Sequence, residues 1–125
     1  MKTIIVCLFI TLALAFTAAG ADVTGKWSGS FTPETGDPGN GYVILKQAGT
    51  TITGSGGPAV DQQWPGLQGT VKGNKISFEV KDPGDGTVYK CDLALEGDHL
   101  TGDVLVTPPS GQPIKAKLDL TRVKE

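Results

Sequence analysis

A short segment that recurs at a fixed spacing of 24 residues constrains the fold of this chain most strongly. Its three copies are residues 49–53 (GTTIT), 73–77 (GNKIS) and 97–101 (GDHLT). Twenty-four residues accommodate two short strands and two connections, so each repeat unit is typical of one β-hairpin. Every copy begins with a glycine at the first central position of a two-residue turn. This pattern predicts type II′ turns, in which glycine supplies the positive φ.

The apolar residues on either side of these turns test the predicted register. A two-residue turn at 73–74 or 97–98 brings apolar side chains opposite one another on one face of each hairpin. These facing pairs are Val71–Ile76, Gly69–Phe78 and Leu67–Val80, then Leu95–Leu100, Leu93–Gly102, Cys91–Val104 and Tyr89–Val106. A slip of one residue would turn every apolar side chain to solvent, so this register is strongly specified. The first hairpin is less regular, since an inward face through Val43 and Leu45 leaves Ile44 outside.

Two further alternating segments flank the hairpins, at residues 23–31 and at about 114–123. Together they give eight antiparallel strands, each joined to the next along the chain. Such a meander avoids exposed strand edges by closing on itself. The sequence therefore predicts an all-β fold, an eight-stranded antiparallel up-and-down β-barrel. A two-sheet β-sandwich is the alternative arrangement of the same strands.

The first 21 residues have the pattern of a secretory signal peptide. Lys2 precedes a mostly apolar run at 4–16, and small residues follow at 18–21. The apolar run is too short for a membrane anchor and ends in small residues, as at a cleavage site. We therefore expect a signal peptide at 1–21, a single barrel domain at 22–125, and a secreted or periplasmic protein without membrane association after cleavage.

The composition of residues 22–125 argues against several classes of function. The segment has 10 basic and 13 acidic side chains, so it lacks the positive charge that neutralises nucleic-acid phosphates. Its only histidine, His99, lies beside a tight turn, and its only cysteine, Cys91, is at an inward position. These two residues form neither a metal-ligand set nor a catalytic constellation. We expect no enzyme activity, no metal, no cofactor and no nucleic-acid partner.

Residues near both ends of this segment carry a resemblance to a known superfamily. Gly25-Lys26-Trp27 resembles the G-x-W motif in the first strand of lipocalins and avidins, the calycin group, and 120–123 (LTRV) resembles their last strand. The resemblance implies a barrel in which a basic side chain packs across that tryptophan. In an eight-stranded meander Trp27 and Arg122 meet at one end, so we expect Arg122 to cover the Trp27 ring. The chain lacks the lipocalin disulfide and the biotin-binding tryptophans, and biotin is not expected.

The connections between strands are unequal in length. Alternate connections of a meander share one end, so short turns close one end and longer loops frame the other, where small barrels bind ligands. The short turns are 48–51, 73–74 and 97–98, and the long loops are about 32–41, 57–66, 81–86 and 107–113. The long-loop end holds Glu34, Asp37, Asp61, Asp82 and Asp85 against Lys81. Its field should favour neutral or cationic ligands.

Three aromatic residues are the candidate ligand-binding residues at that end. Trp64 lies in the predicted 57–66 loop, Phe31 ends the first strand, and Tyr89 faces inward near the same end. We expect a binding protein for a small apolar or amphipathic ligand, or for a partner protein. Trp64 as a purely structural lid over a filled core is the competing interpretation. The alternative function is a secreted inhibitor of an extracellular enzyme, because the resemblance extends to bacterial protease inhibitors that act through an N-terminal arm or loops.

Overall fold

The computed structural model describes residues 22–124, so the predicted signal peptide lies outside the described residues. Eight antiparallel strands close into one barrel, each strand pairing with its neighbours in sequence and β1 pairing with β8. They are β1 (Gly25–Pro33), β2 (Gly39–Ala48), β3 (Thr51–Ala59), β4 (Gln62–Lys72), β5 (Lys75–Lys81), β6 (Val88–Glu96), β7 (His99–Thr107) and β8 (Ile114–Arg122). The predicted up-and-down barrel is confirmed, and the sandwich is not formed. Residues 22–124 contain no helix long and apolar enough to cross a membrane.

The predicted hairpin registers are also confirmed. In β4–β5, Val71 pairs with Ile76 and Gly69 with Phe78, and the paired residues end at Gln68–Glu79, one position before the predicted Leu67–Val80 pair. In β6–β7 the structure contains all four predicted pairs, from Leu95–Leu100 to Tyr89–Val106. Positive φ angles of 65°, 61° and 63° occur at the first residue of each tight turn, Gly49, Gly73 and Gly97. Because only glycines have positive φ within 22–124, the second turn residue has negative φ, which is the φ pattern of a type II′ turn.

The inward faces of the strands form a continuous apolar core. Alternation along each strand places the buried side chains inside the barrel and the charged ones outside. The fully or nearly fully buried large residues are Trp27, Leu45, Ile52, Leu67, Ile76, Leu100 and Leu120. In the first hairpin Val43 and Leu45 are buried while Ile44 is only half-buried, as its outward parity predicted.

The end of the barrel with the tight turns, here called the closed end, is completed by Trp27 and Arg122. The guanidinium carbon of Arg122 lies 4.4 Å from the centroid of the fully buried Trp27 ring. Trp27 Nε1 donates to the Val23 carbonyl (3.0 Å). Arg122 donates from Nη1 to the Thr24 carbonyl and from Nη2 to the Asp22 carbonyl, both at 3.0 Å, and from Nε to the Asp98 carboxylate at 3.2 Å. The predicted stacking of Arg122 on Trp27 is confirmed.

The prediction of a long loop at 57–66 is wrong. Strand β3 continues to Ala59 and β4 begins at Gln62, so their connection is the two-residue turn 60–61, and Trp64 belongs to a strand. The glycines and prolines that suggested a loop lie at two irregularities in the β3–β4 pairing. At one of them Gly66, with a φ of +85°, is an extra residue between Pro65 and Leu67, a β-bulge that glycine tolerates. The other end of the barrel, the open end, is thus framed by three loops, at 34–38, 82–87 and 108–113.

Candidate functional site

A cavity of about 120 Å³ lies at the open end of the barrel. It is formed where β1, β3 and β5 end and where β2, β4 and β6 begin. Its lining is Phe31, Asn40, Gly41, Tyr42, Val43, Gly56, Gly57, Pro58, Trp64, Phe78, Val80, Tyr89, Cys91, Val104 and Leu118. Asn40 and Pro58 of this lining are exposed, and Phe31, Trp64 and Tyr89 are partly exposed, so the cavity is open to solvent at this end of the barrel.

The aromatic residues of the barrel are concentrated at this cavity. Residues 22–124 include six aromatic residues, and all except Trp27 line the cavity. The Trp64 and Tyr89 rings are stacked, with centroids 5.2 Å apart and an interplanar angle of 22°. Tyr89 meets Phe31 edge to face, at 6.2 Å and 71°. The structure therefore brings together the three residues predicted for ligand binding, and each remains partly exposed while packing against the core.

Sequence reasoning missed Gln63, which fixes the strand that carries Trp64. The Gln63 amide nitrogen donates to the carbonyls of Tyr42 (2.9 Å) and Ala59 (2.8 Å). Its amide oxygen accepts a hydrogen bond from the Ser55 hydroxyl at 2.7 Å. One side chain thus joins β4 to both β2 and β3 next to the cavity. The predicted loop at 57–66 gave no indication of this role. Ser55 and Gln63 lie close together only because β3 pairs with β4.

The loop at 82–87 forms the acidic side of the open end. Asp82 Oδ1 accepts a hydrogen bond from the Gly84 amide (2.8 Å), and Asp85 Oδ1 accepts one from the Thr87 amide (2.9 Å). Backbone bonds from the Asp82 amide to the Thr87 carbonyl and from the Gly86 amide to the Asp82 carbonyl close the loop. The hydrogen bonds from Thr87 lower the pKa of Asp85, so this carboxylate is ionised at neutral pH. The loop is therefore held in a defined conformation with its negative charge in place.

The negative charge of this loop affects the pKa of Tyr89, a residue of the cavity lining. Burial raises the pKa of the Tyr89 phenol, and the negative charges of Asp82 and Asp85 raise it further. Of the acidic residues predicted at the open end, Asp82 and Asp85 are the carboxylates whose charge affects a lining residue.

Cys91 and His99, the two residues considered for chemistry, have different environments. Cys91 lines the cavity and is only 5% exposed. Burial, with a smaller contribution from the Asp92 charge, raises its thiol pKa to about 12, so little thiolate forms at neutral pH. His99 is exposed at the closed end, with Nδ1 3.4 Å from the Thr121 hydroxyl. Within the described chain, no cluster of three or more His, Cys, Asp or Glu side chains is placed to hold a metal ion.

The cavity offers apolar contacts, aromatic faces and a phenol hydroxyl beside two carboxylates. Fold and site together define a small closed β-barrel with an aromatic cavity at one end. Comparisons of the chain with protein-family models, with curated protein sequences and with solved structures each found no match.

Proposed function

We propose that this chain is a secreted, calycin-like binding protein that holds one small apolar group in the open-end cavity. The observation that carries the proposal is the convergence of five of the six described aromatic residues on that cavity. Aromatic side chains that are partly exposed on a rigid scaffold are frequent binding anchors. The proposed role is binding rather than catalysis.

The volume of the cavity limits what it holds. An apolar cavity of about 150 Å³ in another protein stays dry and binds benzene, and the cavity here measures about 120 Å³. Sites for whole drug-sized ligands are larger, about 300–1,000 Å³. The occupant is therefore a group the size of a single ring or a short alkyl chain. It is either one end of an amphipathic molecule or an apolar side chain of a partner protein.

Export and the calycin relationship are parts of the same proposal. The pattern of residues 1–21 supports a signal peptide and a secreted or periplasmic location. The Arg122 side chain over Trp27 supports the calycin resemblance, because a basic residue across the first-strand tryptophan is what that resemblance implied.

Inhibition of an extracellular enzyme is the second candidate function, and Val60 is the observation that favours it. This residue is 58% exposed at the tip of the β3–β4 hairpin, beside the open end. An apolar side chain on a two-residue turn is well placed for contact with a protein partner. The segment 22–24 is docked on the barrel, since Val23 is fully buried and its amide donates to Gln47 Oε1 at 2.9 Å. An inhibitor built this way would use its hairpin tip rather than residues 22–24.

A titration with 2-phenylethanol, followed by amide chemical shifts, tests the proposed binding role. We expect saturable shifts at residues of the cavity lining, such as Phe31, Gly57 and Tyr89, and weaker binding by Trp64→Ala. Val60→Ala is the matched control, because Val60 lies on the same hairpin outside the lining, and it should bind as the wild type does. Shifts that do not saturate, or that are spread evenly to the closed end, would overturn the proposal.

A further inference from the structure

We infer that the cavity selects amines: an aromatic ring or short alkyl group occupies the cavity, and the attached ammonium lies at its mouth beside Asp82 and Asp85. This inference rests on the proposed binding function and adds the charge of the ligand to it. The chemical class is a primary amine on a short arylalkyl or alkyl chain.

The position of the acidic loop relative to the aromatic lining supports this assignment. Tyr89 is the second residue of β6, which follows the 82–87 loop, and its ring stacks on Trp64 and makes an edge-to-face contact with Phe31. Its phenol also experiences the negative charges of Asp82 and Asp85. A cationic group on a ligand that contacts the Tyr89 ring is therefore attracted toward these two carboxylates.

The two carboxylates are available to a cationic ligand. Within residues 22–124, the lysine and arginine ion pairs involve other acids: Glu79, Asp98 and Asp103. Asp82 and Asp85 each accept a backbone amide hydrogen bond through one oxygen, and Asp82 is half-buried. Their hydrogen-bonded positions are fixed before a ligand arrives, which reduces the ordering cost of binding.

The aromatic lining adds to the preference for a cation over an anion. An ammonium group near the faces of tryptophan or tyrosine is attracted by the ring quadrupole. A carboxylate at the same place would meet two like charges and would lose hydration without a cationic partner. Neutral ligands of the same shape should bind with an affinity between those of the ammonium and the carboxylate.

Three probes test the inference: 2-phenylethylamine, 2-phenylethanol and 3-phenylpropanoate. In each of them two methylene groups join a phenyl ring to the polar group. Near neutral pH and at low salt, we expect the amine to bind at least about tenfold more tightly than the carboxylate, with the alcohol between them. High salt should narrow the difference, because the mouth is open to solvent. The bulkier 2-(1-naphthyl)ethylamine should bind more weakly than 2-phenylethylamine if the ring enters the cavity.

The double variant Asp82→Asn/Asp85→Asn removes the charge and keeps the oxygen that accepts each backbone hydrogen bond. It should lose the preference for the amine while its affinity for the alcohol stays within about twofold of wild type. Asp103→Asn/Asp119→Asn is the matched control, because it removes two exposed charges from the outer wall of β7 and β8. If the double variant does not fold, Asp85→Asn alone, at an exposed position, should show a smaller loss of the same preference.

The outcomes separate this inference from the function on which it rests. If none of the three ring probes binds, the proposed binding role fails and the inference fails with it. If the alcohol binds but the amine binds no more tightly than the carboxylate, the binding role stands and the selection of amines is wrong. An amine preference that survives in the Asp82→Asn/Asp85→Asn variant, or that disappears equally in the control, would also overturn the inference.

Discussion

The two ends of the barrel use the same residue type in opposite ways. At the closed end Trp27 is fully buried, its indole nitrogen bonds to Val23, and Arg122 covers its ring. At the open end Trp64 is half-buried and contributes to the wall of a cavity. A tryptophan covered by a hydrogen-bonded cation completes a core, whereas one that keeps an exposed surface remains able to contact another molecule.

The difference between the two ends originates in the connections. Three two-residue turns and the paired ends of β1 and β8 bring the backbone together around Trp27, and the Arg122 guanidinium bonds to carbonyls of Asp22 and Thr24. The open end has longer loops at 34–38, 82–87 and 108–113.

The largest effect is expected for Trp27→Ala at the closed end. Removing a fully buried indole leaves a void that the surrounding strands cannot fill, so the free energy of unfolding should fall by about 3–5 kcal/mol. Urea denaturation followed by circular dichroism measures this loss. A loss under about 1 kcal/mol would show that Trp27 does not belong to the core.

Arg122→Ala should have the next largest effect, about 2 kcal/mol, because it removes the contact with the Trp27 ring and hydrogen bonds to two backbone carbonyls and Asp98. The same urea denaturation applies. Lys117→Ala is the matched control, since Lys117 forms an ion pair with Asp103 in which both side chains are exposed, and it should change stability little. Equal losses in both variants would mean that Arg122 behaves as an ordinary surface charge.

Trp64→Ala should cost about 1 kcal/mol, less than Trp27→Ala, because the side chain is half-exposed and loses chiefly its stacking on Tyr89. It should also abolish the fluorescence change caused by a bound ligand. Chemical denaturation and a fluorescence titration with 2-phenylethylamine measure the two effects. A stability loss as large as that of Trp27→Ala would make Trp64 a structural lid, and the two ends would then be alike.

The smallest effect near neutral pH is expected at Cys91, where a pH dependence should appear in alkaline solution. The folded thiol has a pKa of about 12, and an ordinary thiol about 8.5, so the unfolded chain releases this proton first. The stabilising contribution is complete below about pH 8.5 and decreases as the pH rises toward 12. Urea denaturation at several alkaline pH values should show that the free energy of unfolding falls less steeply with pH for Cys91→Ala than for wild type. Parallel declines in the two proteins would contradict the raised pKa of Cys91.

A thiol reagent tests the burial of the same residue at neutral pH. Cys91 should stay unlabelled in the native protein and react after unfolding in urea. Rapid labelling of the native protein would show that the open end admits the reagent to the level of Cys91.

The barrel and its closed end could be predicted from sequence because their determinants are local or periodic. The turn glycines marked the hairpins, and the alternation of apolar and polar residues specified the strand register. The positions of Trp27 in the first strand and Arg122 in the last predicted their contact. The β3–β4 hairpin could not be predicted in this way. Pro58, Pro65 and Gly66 are usual markers of loops. Only the pairing of β3 with β4 shows that irregularities in the ladder accommodate them.

The candidate site was predictable only in part, for a related reason. Phe31, Tyr89 and Trp64 were identified by their nearness to the open end, although the position of Trp64 on a strand was not. Tyr42 also lines the cavity, yet its parity in β2 is opposite to that of buried Val43. The role of Gln63 depends on carbonyls 21 and 4 residues away. Contacts of this kind follow from the three-dimensional pairing of strands, and a linear pattern contains little information about them.

The pairing of β1 with β8 also determines how the molecule can be oriented. The chain enters the barrel at Gly25 and leaves it at Arg122, both at the end remote from the cavity. A tether attached directly before residue 22 or directly after residue 124 would therefore hold the barrel with its cavity facing away from the point of attachment. On a sensor surface or as a fusion, the aromatic mouth would stay accessible without any change to the loops around it.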